Sequence, residues 1–153
     1  MRPAQRWEIT ANLAFQTDDG NYINALLVEI GFSGTGLLTM PQNVGSFRKI
    51  KATSASASAS NGSDTASFSA NGLIPAGTYF QWGAGSKVYM VLNDVTNGSA
   101  KIHPRCRGGG SGSIRFRDNV HMRFMLDMDV ARGTSYVDGI LQSIEGITFI
   151  EAL

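Results

Sequence analysis

The stretch GLIPAGTYFQWGAGSKVYMVLNDVTNGSAKIHPRCR, residues 72–107, decides the fold because it carries the most regular β pattern of the chain. Three short runs rich in aromatic and β-branched residues lie in it, at residues 78–82, 87–92 and 99–103. Each run is closed by a residue that favours turns: Gly83, Asn93 or Pro104. The segment Pro75-Ala76-Gly77 predicts a tight turn, since proline fixes φ and glycine reaches positive φ. We therefore expect an antiparallel meander here.

The two ends of the chain are also patterned as strands. Residues 5–15 alternate, with Trp7 and Ile9 on an apolar face and polar residues between them. Such alternation predicts a half-buried strand. Residues 144–151 form a long strand-like run, which we expect to pair with the first strand and tie both ends into one sheet. Residues 120–127 alternate in the same way.

A single helix is predicted. Residues 21–30 place Ile23, Leu26 and Ile30 on one stripe at helical spacing. An aspartate before this segment can cap the helix and Gly31 ends it.

These elements predict a mainly β fold with two domains. An antiparallel β-sandwich with the one short helix is expected from both chain ends, residues 1–41 and 114–153. A small β-barrel is expected as an insertion at residues 42–113.

Two segments are predicted to lack structure of their own. Residues 53–62 alternate Ser and Ala and contain no large apolar side chain, so burial cannot offset their ordering entropy. We expect a loop that becomes ordered only on assembly. The Gly/Ser run at residues 108–113 is expected to be a flexible connector or hairpin tip.

Bulk composition excludes several classes of function. The formal net charge is +1, so no field of the whole protein attracts nucleic acid. No apolar run reaches the length of a membrane span, and the first residues lack the apolar core of a signal peptide. We expect no membrane span, no specific nucleic acid and no cofactor.

Catalytic and metal-binding chemistry is hard to build from this sequence. His103, His121 and the single cysteine, Cys106, do not have the spacing of a closed zinc site. No orienting group accompanies Cys106 as a nucleophile, although the arginines beside it are expected to lower the pKa of its thiol. The pairs at Asp18-Asp19 and at residues 127–129 are predicted to cap and turn the chain. We predict that the protein is not an enzyme.

Two sets of surface residues are candidates for binding. Four arginines on both sides of the glycine run are predicted to converge at one hairpin and bind carboxylates of neighbouring subunits: Arg105, Arg107, Arg115 and Arg117. The partners proposed for them are Asp18, Asp19 and Glu151. Three aromatic residues are candidates for binding a carbohydrate or host surface: Tyr79, Trp82 and Tyr89.

The order of the short motifs resembles a group of small structural proteins of tailed bacteriophages, located near the tail tip or baseplate. The motifs, in chain order, are QRWEIT (5–10), GLIPAGTYFQWGAGSKVYMVLNDVT (72–96), KIHPRCR (101–107), FMLDMDV (124–130), VDGI (137–140) and ITFIEAL (147–153). The chain departs from the group at Thr78, where an acidic residue is usual, and at Pro104-Arg105, where a spacer is missing.

The resemblance implies a non-enzymatic virion protein, assembled in the host cytoplasm into the tail. It implies a distal-tail-like adaptor that forms a ring of its own copies, between the tail tube and the hub and fibre proteins. Two alternatives stay open: another virion position, such as head–tail connector, tail terminator or capsid decoration protein, and a module that binds carbohydrate or a host surface.

Overall fold

The computed structural model of the protein describes residues 5–16, 34–40, 42, 49–83, 85–126, 135–137 and 141–152. Eleven strands lie in these residues, so the predicted mainly β class is confirmed. In chain order they are β1 (Glu8–Gln16), β2 (Gly36–Thr39), β3 (Ala55–Ala59), β4 (Thr65–Ile74), β5 (Tyr79–Trp82), β6 (Tyr89–Val91), β7 (Val95–His103), β8 (Gly110–Phe116), β9 (His121–Leu126), β10 (Ser135–Val137) and β11 (Leu141–Glu151). A 3-10 turn at Arg117–Asn119 follows β8. The predicted helix at residues 21–30 lies outside the described residues.

The first sheet joins the two ends of the chain. Its strand order is β1-β11-β9-β2, with β10 also paired to β11. β1 runs antiparallel to β11 from Glu8 opposite Ile150 to Gln16 opposite Leu141, which is the pairing expected from the sequence. The alternation of β1 is retained as well, because Ile9 is half-buried while Glu8 and Thr10 are exposed.

The second sheet is a closed barrel of six strands in the order β3-β4-β7-β6-β5-β8. β8 pairs with β3 and thereby closes the barrel. Every neighbouring pair is antiparallel. The predicted small barrel is therefore present, and β5, β6 and β7 form the predicted meander within it. Before β5, Gly77 has a φ of 87° and the Thr78 amide donates to the Pro75 carbonyl at 3.2 Å, which is the expected tight turn.

The structure corrects both segments that were predicted to be flexible. Residues 55–59 of the Ser/Ala tract are β3, and residues 110–113 of the Gly/Ser run are the first half of β8. The two segments pair with each other from Ser56 opposite Ser113 to Ala59 opposite Gly110. The entropy argument was wrong because period-2 alternation lets small side chains line a barrel whose apolar volume comes from other strands.

Aromatic residues supply that volume. Phe80 is fully buried, and its ring lies 5.4 Å from Phe68, 5.1 Å from Trp82 and 5.6 Å from Tyr89, centroid to centroid. Around these rings the inward positions of the neighbouring strands carry small residues such as Ala57, which is also buried. Large rings and small side chains together fill the barrel.

The chain divides into two compact units. One, here called the barrel unit, comprises Met1–Gln5, Leu38–Met122 and Leu153. The other, called the end unit, comprises Arg6–Leu37 and Arg123–Ala152.

Candidate interaction surface

The four candidate arginines are divided between the two ends of β8. Arg105 and Arg107 lie in the segment before the strand. Arg115 is the second-last residue of the strand, and Arg117 follows its last residue. A strand rises about 3.3 Å per residue, so the seven residues of β8 separate the two pairs by roughly 20 Å. The expected convergence at one glycine hairpin is wrong, because the glycine run is a paired strand.

Arg115 and Arg117 are anchored by backbone carbonyls. The Arg115 Nη2 donates to the Gly85 carbonyl at 2.9 Å, and the Arg117 Nη2 donates to the Ile50 carbonyl at 3.4 Å. Arg117 also has a φ of 66°, an uncommon conformation for a residue with a Cβ. The Nε of Arg115 is buried and makes no hydrogen bond, so this donor cannot reach a partner. The carbonyl bonds orient both guanidinium groups, and their remaining N–H groups are left for a partner.

Two lysines lie beside the same carbonyl. Lys49 and Lys51 flank Ile50, and both are exposed, as is Arg117. We call Lys49, Lys51, Arg115 and Arg117 the basic cluster. Among the residues that the structure describes, no carboxylate pairs with any member of this cluster. The surface is therefore positive and suited to an acidic partner.

The segment that carries Arg105 and Arg107 has a fixed backbone. The Cys106 amide donates to the Ser63 carbonyl and the Gly62 amide donates to the Cys106 carbonyl, both at 2.7 Å. The Arg107 amide donates to the Tyr89 hydroxyl at 3.1 Å. Both arginine side chains are exposed on this fixed backbone. They are presented to solvent at the opposite end of β8 from the basic cluster.

Cys106 itself is buried between these arginines, with 2% of its surface exposed. Burial raises the pKa of its thiol, and hydrogen bonds from the Gly109 backbone and the Tyr89 side chain only partly oppose this effect. The expectation that the flanking arginines lower the pKa is wrong, since their side chains point to solvent while the thiol points into the barrel.

The three aromatic candidates do not form one surface. Tyr89 is buried, and its ring lies 4.8 Å from Trp82. The Trp82 indole donates its Nε1–H to the Ala57 carbonyl at 2.8 Å, across the barrel interior. Tyr79 lies on the other face of β5, where its backbone amide and carbonyl are both bonded by the Gln42 side chain. Trp82 and Tyr89 thus belong to the core and cannot act with Tyr79 as a carbohydrate platform.

The candidate acidic partners are corrected in part. Glu151 is fully buried and accepts a hydrogen bond from the Trp7 amide at 3.2 Å, so it is no exposed partner for arginine. Its position on the inward face of β11 removes it from the surface. Asp18 and Asp19, and the predicted carboxylate pair at 127–129, lie outside the described residues.

Neither histidine joins a chemical site in the described part of the chain. The His121 Nδ1 lies 3.2 Å from the Thr39 hydroxyl, and its backbone is bonded in both directions by the Gln81 side chain. His103 lies on β7 with its side chain exposed. No group of three or more His, Cys, Asp or Glu in the described ranges could hold a metal ion. Nor do those ranges contain a helix long and apolar enough to cross a membrane.

The sequence reasoning missed one surface, the outer face of the barrel. Two rows of exposed polar side chains cross β8, β3, β4 and β7. One row is Ser113, Ser56, Ser69 and Asn97, and the other is Ser111, Ser58, Ser67 and Ser99. The signal was present in the Ser/Ala alternation, because a period of two places every serine on one face.

The chain matches no protein-family model, and no curated protein matches it either.

Proposed function

We propose that the protein is a non-enzymatic structural component of a tailed-phage virion, which forms a ring at the tail tip or baseplate and joins the tail tube to the hub. The order of sequence motifs motivates this proposal. The observation that carries it is the pair of carbonyl-anchored guanidinium groups on Arg115 and Arg117, which are oriented without a carboxylate of the described chain. Oriented, unneutralised arginines suit carboxylates on a neighbouring subunit.

The proposal includes the finer architecture. The paired ends, predicted as residues 1–41 and 114–153, would form the β-sandwich that lies in the ring, and the barrel, predicted at residues 42–113, would be the inserted domain. The last strand of the barrel extends to Phe116, so the barrel ends a few residues later than the predicted boundary. Pairing of β1 with β11 supports this division, because it ties the first and last strands into one sheet. The protein would be assembled in the host cytoplasm and reside in the virion tail, with tube, hub and fibre proteins as neighbours.

The alternative of a carbohydrate-binding module loses its main support. That interpretation depended on Tyr79, Trp82 and Tyr89 acting together, and two of these rings pack into the barrel. Other virion positions, such as the head–tail connector, share the same surface argument and are separated from the tail tip only by locating the protein in particles.

A variant with all four arginines replaced by glutamine tests the proposal. Single exposed ion pairs contribute about 0–1 kcal/mol, so one substitution should be tolerated. A ring repeats each contact at every interface, and the quadruple variant should therefore fold but fail to enter tails. Mass spectrometry of purified virions and cryo-EM of the tail end measure its incorporation.

The matched control carries glutamine at Arg6 and Arg123, two exposed arginines of the end unit. This control should enter tails normally. Infectious particles that contain the quadruple variant at normal copy number would refute the interface role of the arginines, and absence of the wild-type protein from purified tails would refute the virion proposal. Particles that assemble but no longer attach to cells would favour host binding.

A further inference from the structure

The two compact units carry opposite charge. The barrel unit has ten Lys and Arg residues against three Asp and Glu, a formal charge of +7. The end unit has three Lys and Arg residues against nine Asp and Glu, a formal charge of −6. The net charge of +1 thus arises from two large charges that cancel. A small net charge does not exclude a strong local electrostatic field, since the field follows the distribution of the charges.

The positive charge of the barrel unit is displayed on its surface. Lys49, Lys51 and Arg117 are exposed, and their neighbour Arg115 is held by the Gly85 carbonyl. Of the three acidic residues of this unit, the structure describes the side chains of Asp64 and Asp94, and both serve local structure. Asp64 accepts a hydrogen bond from the Thr65 hydroxyl at 3.1 Å, and Asp94 accepts one from the Ala76 amide at 3.0 Å.

We propose that the basic cluster binds the acidic end unit of a second copy of this chain, so that copies associate head to tail. The inference rests on the proposed function for one point, that copies assemble. A contact between two different surfaces of the same chain is heterologous, and it closes into a ring when the rotation per subunit allows. The four cations of the cluster and the formal −6 of the end unit are opposite in sign, so each junction would be attractive.

A second copy fits the cluster better than nucleic acid does. Nucleic acid carries only negative charge, so it could neutralise the basic cluster but would leave the formal −6 of the end unit without a partner. A second copy brings an acidic unit to the cluster and offers its own basic cluster to the next copy. Charge complementarity of this kind orients partners and speeds their encounter.

Three variants of the full chain test the proposal. The first reverses the cluster with Lys49→Glu, Lys51→Glu and Arg117→Glu. The second reverses part of the end unit with Glu8→Lys, Asp18→Lys and Asp19→Lys. The third, a matched control, makes the same total change of charge at exposed barrel-unit positions outside the cluster and away from the four candidate arginines: Lys101→Glu, Asn61→Asp, Asn93→Asp, Asn97→Asp and Ser111→Asp.

Sedimentation velocity of the wild-type chain should show association that weakens about tenfold or more between about 0.1 M and about 1 M NaCl, where the Debye length falls from about 10 Å to about 3 Å. The first and second variants should each fail to self-associate. Mixed together they should associate again, because every reversed surface then meets a reversed partner. The control should retain most of the wild-type association.

Several results would overturn the proposal. These are a wild-type chain that stays monomeric at low salt, a mixture of the reversed variants that stays monomeric, or a control that is as defective as the first variant. Binding of a 20-base-pair DNA probe by the wild-type chain, lost in the first variant and without self-association, would assign the cluster to nucleic acid instead. Circular dichroism checks folding, and glutamine replaces each reversed residue if a variant does not fold.

The two proposals fail in different ways. Salt-dependent association in solution that is restored by mixing supports the head-to-tail contact even if the protein is found outside tails. Normal incorporation into tails by the first variant would leave the virion role intact and remove the cluster from the interface.

Discussion

The barrel is built from two contrasting halves. β3 and the first four residues of β8 consist of Ser, Ala and Gly, whereas β5 and β6 carry Phe80, Trp82 and Tyr89. β8 belongs to both halves, since it pairs with β3 through residues 110–113 and with β5 through residues 114–116. Its side chains change from small to large where its partner changes.

The difference shows that a strand need not bring apolar volume of its own. A Cβ on Gly110 would lie only 2.4 Å from the Trp82 ring, so the ring occupies the space that a side chain on β8 would fill. The same indole bonds the Ala57 carbonyl of β3. Small residues are thus required beside large ones at the density of protein interiors.

The half with large side chains, formed by β5 and β6, should be destabilised by the removal of one ring. Phe80→Ala should lower the free energy of unfolding by about 3–5 kcal/mol, because it removes a fully buried ring that contacts three others. Chemical denaturation followed by circular dichroism measures the loss. The control is Tyr79→Ala, which removes a half-buried ring from the opposite face of the same strand and should cost less. A loss below about 1 kcal/mol for Phe80→Ala would mean that the core is misassigned.

The half with small side chains, formed by β3 and the first residues of β8, should be destabilised by added side-chain volume. Gly110→Ala should cost about 1–3 kcal/mol, since the new methyl group overlaps the Trp82 ring and overpacks the barrel. The backbone there is not in the positive-φ region, so the cost is steric. Ser111→Ala, one residue along on the exposed face, is the matched control and should change stability by less than about 0.5 kcal/mol. Equal effects of the two substitutions would contradict the packing of Trp82 on β8.

The sequence predicted the large half and missed the small one for a physical reason. Aromatic and β-branched runs between turn residues are strand signals in themselves, and the meander and the pairing of the chain ends followed from them. The Ser/Ala tract is informative only through its period, because its apolar partners, Phe80 and Trp82, lie more than twenty residues away in the chain. The candidate arginines do not converge because most of the glycine run between them, predicted as a flexible connector or hairpin tip, belongs to strand β8.

Other features could not be read from the chain alone. Glu151 was expected at the surface because glutamate is seldom buried. Its buried carboxylate instead accepts a hydrogen bond from the Trp7 amide. The opposite charges of the two units appear only when the charges are assigned to a fold, since the basic and acidic segments alternate along the chain. Net charge is a property of the whole sequence, and the field depends on where each charge lies.

A substitution at Trp82, where the two halves meet, tests whether the indole and Gly110 share one space. Trp82→Phe should cost about 1 kcal/mol for the lost hydrogen bond to the Ala57 carbonyl, with a further contribution from the smaller ring. In the Gly110→Ala background the same change should cost less, because the narrower ring relieves the overlap. A double-mutant cycle by denaturation measures this coupling. Strict additivity would indicate that the indole and Gly110 do not share one space.

Cys106 gives the smallest expected effect, and it tests the other contact between the halves. Its thiol donates to the Ala59 carbonyl of β3 at 3.8 Å and also bonds the Tyr89 side chain of β6. Burial raises the pKa of the thiol above its ordinary value of 9.0, so the folded protein holds the proton more tightly than the unfolded chain. The unfolded chain then releases its proton first as pH rises, and this release favours unfolding.

The stability that the neutral thiol contributes is therefore fully present below the ordinary pKa and is lost as pH rises through the raised value of the folded protein. Denaturation of the wild type and of Cys106→Ala should give curves of unfolding free energy against pH that run parallel between about pH 6 and pH 8 and differ in slope above about pH 9, with the wild type falling more steeply. A native thiol that reacts with a disulfide reagent as fast as a free cysteine, or two curves that stay parallel to about pH 10.5, would show that Cys106 is not sealed between the small and the large strands.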